Sequence, residues 1–204
     1  MKNREEKLYR KNILKTLIAL SVPTVIEELL STLLQYVDTA MVGQLGEDAT
    51  AAVSVTTTVS WLMNSIPAAL SVAVLAMIAK AVGSGDEEKV RRISRHCALS
   101  VPLIGIVLCT VALCLSPYIP IWMGAEESIR GQASLYFFMI NIPMIFRCSG
   151  IIFAAALRAV SSVRIPLVIN FGSNFLNVIL NYLLIYRAGL GVMGAAAATA
   201  ISYT

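Results

Sequence analysis

Five apolar runs of about 20 to 30 residues dominate the sequence, and a sixth of about 13 residues reaches Thr204. They cover residues 13–42, 51–79, 93–122, 133–157 and 165–186, with the last beginning at 192. A helix needs about 20 consecutive apolar residues to cross the hydrocarbon of a bilayer. No water-soluble core accommodates five such runs in 204 residues. The charged fraction agrees, at 14% against about 25% in soluble domains. The expected fold is an all-α polytopic bundle with five complete transmembrane helices and the start of a sixth. Residues 1–12 form the expected N-terminal tail and 13–204 the membrane lobe. The last run is too short to cross and meets no polar stop, so a continuation beyond Thr204 is expected.

Loop charges set an orientation. The N-terminal segment carries Lys2, Arg4, Lys7, Arg10, Lys11 and Lys15, the second loop Lys89, Arg91, Arg92 and Arg95, and the fourth Arg158 and Arg164. The alternate loops hold only Arg130 and Arg187, beside Glu47, Asp48, Glu126 and Glu127. The positive-inside rule places the N-terminus and the even-numbered loops in the cytoplasm, and the expected location is the plasma membrane. The first apolar run contains Pro23, Glu27 and Glu28 and is longer than a signal-peptide core. No cleavable signal is expected.

Several function classes fall away. The basic residues sit in separate loops, whereas a nucleic-acid surface gathers them on one face. Cys97, Cys109, Cys114 and Cys148 lie in apolar stretches without C-x-x-C spacing, and His96 is the only histidine, so buried thiols are expected rather than a metal or redox site. The sequence holds no phosphate-binding loop, nucleophile elbow or H-E-x-x-H motif. No enzyme and no cofactor are expected.

Ionisable groups inside membrane helices are costly and by default point to function. Here they are Glu27, Glu28, Asp38 and Arg147. On an ideal helix Glu27 and Asp38 lie about 20° apart in azimuth and roughly 16 Å apart in height. Ser31 and Gln35 share that side, so the first helix carries a polar stripe suited to a wet cavity. The fifth run carries a second stripe, Asn170, Asn174, Asn177 and Asn181, spaced by four, three and four residues along one helix face. Four amides cannot face hydrocarbon. Either stripe can serve transport or simple interhelix hydrogen bonding.

Depth connects the two stripes. Asp38, Asn181 and Thr199 fall roughly 6–11 Å below the outer surface, with Asn177 one turn deeper. If the first, fifth and sixth helices adjoin, these four form an oxygen-rich pocket for H⁺ or Na⁺, with Na⁺ resting on Asp38 and Asn177. Gln35, Asn170 and Asn174 are then candidates for the substrate cavity. Pro23 removes a helical hydrogen bond and is a candidate hinge. Arg147 needs a counter-charge, and the expected partners are Glu27 or Glu28.

Those residues carry a family resemblance. The stretch P-T-V-I-E-E-L-L-S-T-L-L-Q-Y-V-D-T-A-M-V-G-Q-L-G (23–46) resembles the first helix of multidrug and toxic compound extrusion (MATE) transporters. Three further segments are similar to that family in the same order: A-V-G-S-G-D-E-E-K-V-R-R (81–92), L-R-A-V-S-S-V-R-I-P (157–166), and N-V-I-L-N-Y-L-L-I with G-V-M-G-A-A-A-A-T-A-I-S (177–185, 191–202). The resemblance implies twelve helices in two lobes, this chain being most of the first. It also implies export of organic cations or other amphipathic small molecules in exchange for H⁺ or Na⁺. Asp38 matches the family's first-helix acid, and Asn177 and Thr199 match polar residues of its N-lobe cation site. Asn181 stands where some members have Asp, which leaves one carboxylate in that pocket. The alternatives are a lipid-linked oligosaccharide flippase of a related superfamily, which calls for more cavity cations, and a non-transport membrane assembly protein.

Overall fold

A computed structural model describes residues 2–204, with side chains given for Ile18, Ser21, Val22 and Thr24 onward. The chain is helical in sequence order: α1 (Lys2–Gly43), α2 (Glu47–Gly83), α3 (Glu87–Leu115), α4 (Ile119–Trp122), α5 (Glu127–Asn141), α6 (Met144–Ala159), α7 (Arg164–Asn181) and α8 (Val192–Ser202). A single π-helical stretch, Tyr182–Arg187, extends α7. α1 takes in most of the expected tail.

Local chemistry explains the helix ends. Asp86 caps α3 by accepting a hydrogen bond from the Lys89 backbone N–H at 2.9 Å. Glu87 and Glu88 then occupy its first turn, where the helix dipole favours negative charge. The preceding Gly85 turns the chain at φ +70°, a conformation that costs glycine little.

Three helices among the described residues are long and apolar enough to cross a membrane: α2, α3 and α7 with its π extension. The pair α5–α6 counts as a fourth if taken as one span bent by 49°. The expected run 133–157 is therefore broken, and its break falls at Ile142–Pro143, because Pro143 has no N–H to continue the α5 ladder. α8 is a shorter apolar helix. Among the described residues, three to four complete spans are thus recognised, and the expected count of five is not confirmed.

Packing divides the bundle into two groups that meet at α5 and α8. α6 lies against both α2 and α3, while α7 lies between α1 and α8, and α5 contacts α2 and α8. Small side chains fill much of the interior: Ala52, Ala112, Ala133, Ala196 and Ala198 are all buried. Large apolar ones face outward, with Trp61 at 80% and Leu99 at 71% exposure. Helices in lipid associate through small residues while their bulky apolar side chains meet the acyl chains. At α3–α6 the approach is close enough that a Cβ on Gly105 would lie 2.8 Å from the Ile145 Cα.

Candidate cation and substrate site

α1 and α7 run side by side and turn their polar stripes toward each other. Toward the C-terminal end of α1, the Asp38 carboxylate accepts a hydrogen bond from Asn181 Nδ2. The same amide donates to Asn177 Oδ1 at 3.1 Å, and Asn177 Nδ2 donates to Thr199 Oγ1 of α8 at 3.3 Å. All four residues of the expected oxygen-rich pocket therefore lie in one connected chain. Asn181 is fully buried, and its Oδ1 meets no protein donor. A carboxylate, amide oxygens and a hydroxyl form a donor set suited to a hard monovalent cation or a proton.

The π-helical stretch begins immediately after Asn181. Its Tyr186 hydroxyl donates to the Met41 carbonyl at 3.0 Å and lies 2.9 Å from Gln44 Oε1, so the widened turn ties α7 to the end of α1. Such bulges recur at functional positions in helices. α8 presses on it tightly: a Cβ on Gly194 would sit 2.7 Å from the Leu184 carbonyl carbon and oxygen.

The N-terminal half of the α1–α7 seam holds the other candidates. Glu27, Ser31, Asn170 and Asn174 line a narrow crevice closed by Leu30, Leu34, Leu167 and Phe171. Glu27 accepts hydrogen bonds from Asn170 and from Arg158 Nη2 at 2.9 Å. The Gln35 side chain is exposed and lies outside this crevice. The Pro23 side chain, the expected hinge, lies outside the described residues; its backbone is within α1.

The expected pairing of Arg147 with Glu27 or Glu28 is corrected. Arg147 Nη2 donates to the Ile140 carbonyl at 2.7 Å, and Nη1 lies 3.5 Å from Asn64 Oδ1. Its guanidinium carbon sits 4.7 Å from the centre of the Tyr203 ring. Glu28 is exposed. The partner of Glu27 is Arg158, because α6 continues to Ala159 and keeps Arg158 inside the bundle, about 16 Å along the axis from Arg147. The hydropathy pattern puts Arg158 in a loop and gives no prominence to Asn64. A lone amide in the apolar run 51–79 was the available signal for Asn64.

A lipid-facing helical bundle with a buried polar seam defines one lobe of a membrane transporter. The sequence model of the MatE family matches residues 23–183, and the chain belongs to that family. It is 29% identical over 194 residues to the protein named "Probable multidrug resistance protein NorM" of Thermotoga maritima, covering 93% of this chain and 42% of that one. The crystal structure of MATE in the straight conformation aligns at TM-score 0.88 with 25% identity, over 93% of this chain and 42% of that one. MATE in the bent conformation aligns at 0.86, also with 25% identity and the same coverage. The chain thus spans less than half the length of these relatives.

Proposed function

We propose that this chain is the first lobe of a two-lobe, twelve-helix antiporter in the plasma membrane, with its N-terminus in the cytoplasm. It exports amphipathic organic cations or related drugs in exchange for H⁺ or Na⁺. The observation that carries the coupling is the chain Asp38–Asn181–Asn177–Thr199 across three helices. Asp38 is its single carboxylate and its only group able to change charge. Taking up H⁺ or Na⁺ there alters the bond to Asn181, and with it the attachment of α1 to α7. An ion shifts a conformational equilibrium only by its difference in affinity for the two states, and a bond made in one arrangement of α1 supplies such a difference. Drug export is supported by family membership and by the name of the Thermotoga relative. The straight and bent MATE structures are consistent with a lobe that works in two shapes.

A lipid-linked oligosaccharide flippase fits less well. Holding a phosphate-rich head group calls for several cavity cations, whereas Arg158 is already paired with Glu27 and Arg147 is the one buried charged side chain among the described residues. The test uses full-length protein in liposomes with an imposed H⁺ or Na⁺ gradient. Asp38→Asn is expected to abolish ion-driven drug flux while leaving the protein folded. Unchanged ion coupling in that variant would reject Asp38 as the coupling residue.

A further inference from the structure

Arg147 is the one charged side chain among the described residues that lies in the buried core, at 9% exposure. A guanidinium offers five N–H donors. Arg147 finds two protein acceptors, the Ile140 carbonyl and Asn64 Oδ1, and both are neutral. Its buried Nε meets no acceptor. No carboxylate among the described residues forms an ion pair with it.

The same helix shows what a structurally balanced arginine looks like. Eleven residues further along α6, Arg158 is paired with Glu27 at 2.9 Å. A buried cation that serves only to hold helices together is stable when a carboxylate answers it. Arg147 instead lies beside the aromatic face of Tyr203. A planar fork with unused donors next to an aromatic ring is the arrangement that recognises a carboxylate attached to a flat apolar body.

We infer that Arg147 and Tyr203 form an anion subsite that binds the carboxylate of an amphipathic aromatic substrate, zwitterions included. The inference rests on the transport reading for its physiological use, but binding can be measured without transport. The experiment uses the full-length protein and two probes: a xanthene dye with a free carboxylate, and the methyl ester of the same dye. Binding is followed by fluorescence anisotropy in detergent, and uptake is followed in liposomes. Arg147→Gln is expected to weaken binding of the carboxylate dye by about tenfold or more while the ester changes by less than about twofold. Arg147→Lys keeps the charge but loses the fork, and is expected to fall between these limits for the carboxylate dye alone. If Arg147→Gln does not fold, the lysine variant decides by the same comparison. Parallel weakening of both dyes, or no change in either, would overturn the subsite and leave Arg147 as a structural strut. Arginine-dependent binding of the carboxylate dye without uptake of either dye keeps the subsite and rejects the transport reading instead.

Discussion

Asp38 on α1 is hydrogen-bonded to Asn181 on α7, and the pair is separated by 143 residues, the same separation as Glu27 and Asn170 one seam-length below. The two acids are eleven residues apart on α1 and the two amides eleven apart on α7, which is three helical turns. The helices are therefore parallel and in register, with an acid–amide rung at each end of the seam. Tyr186 and Gln44 add a further rung beyond Asp38. α1 cannot slide or bend away from α7 without breaking a rung that contains a carboxylate.

The Glu27–Asn170 rung is reinforced by Arg158, and that contact should be energetically coupled. Both side chains are largely shielded, with exposures of 29% for Arg158 and 10% for Glu27. Glu27→Gln and Arg158→Gln are each expected to destabilise the protein. The double variant should lose less than the sum, with a coupling of about 1–3 kcal/mol. Thermal unfolding in detergent across the four proteins measures it. Strict additivity would mean that the pair contributes nothing beyond its separate parts.

The convergence of Asp38, Asn177, Asn181 and Thr199 was legible in the sequence because periodicity fixes a helix face and span ends fix an approximate depth. What periodicity cannot fix is which helices adjoin, and that came from the packing of α7 between α1 and α8. Arg147 and Arg158 show where the reading fails. Hydropathy locates a span end only to within a few residues, so it leaves Arg158 in a loop although α6 reaches Ala159. Pro143 sat inside a long apolar run, and apolarity alone gave no sign that the helix breaks there by 49°. The π-helical stretch after Asn181 was invisible for a related reason: one extra residue per turn leaves no compositional mark.

Replacing Asn181 tests the one-carboxylate character of the Asp38–Asn181 rung. Asn181→Asp removes the donor and sets two carboxylates in contact, which then share a proton instead of both ionising. Ion-driven transport by this variant is expected to gain a second titration step across pH. The exchange variant, Asp38→Asn with Asn181→Asp, restores one acid and one amide and should return to a single step with part of the original rate. Transport measured in liposomes over a pH series checks both. Identical pH profiles in the wild type and Asn181→Asp would show that the rung does not take part in coupling.

Glycine substitutions should separate by what a new methyl group meets. At Gly194 it meets the Leu184 backbone at 2.7 Å, and at Gly105 the Ile145 backbone at 2.8 Å. Backbone atoms cannot rotate away, so Gly194→Ala and Gly105→Ala are expected to cost about 1–3 kcal/mol each by forcing helices apart. Gly150 also lies in a helix but has open space around its position. Gly150→Ala should be neutral or stabilising by up to about 1 kcal/mol, since alanine restricts the unfolded chain more than glycine does. Melting temperatures in one detergent rank the three. A destabilised Gly150→Ala together with a neutral Gly194→Ala would contradict the packing described for α6 and α8.

The orientation can be checked at two turns on opposite sides of α3. The turn before α3 contains exposed Ser84, and the turn before α5 contains exposed Glu126. About 40 Å of helix separates them along α3, enough to cross a bilayer. Lys89, Arg91, Arg92 and Arg95 cluster on the Ser84 side, whereas Glu126 and Glu127 mark the other. Positive charge is retained on the cytoplasmic side during insertion. The four native cysteines are free thiols, so they can be replaced without opening a disulfide. In that background, Glu126→Cys is expected to react with a membrane-impermeant maleimide on intact cells, and Ser84→Cys only after the membrane is permeabilised. The reverse pattern would invert the lobe and place the Asp38 end of the α1–α7 seam at the cytoplasmic surface. The cytoplasmic N-terminus proposed for the lobe would then be rejected.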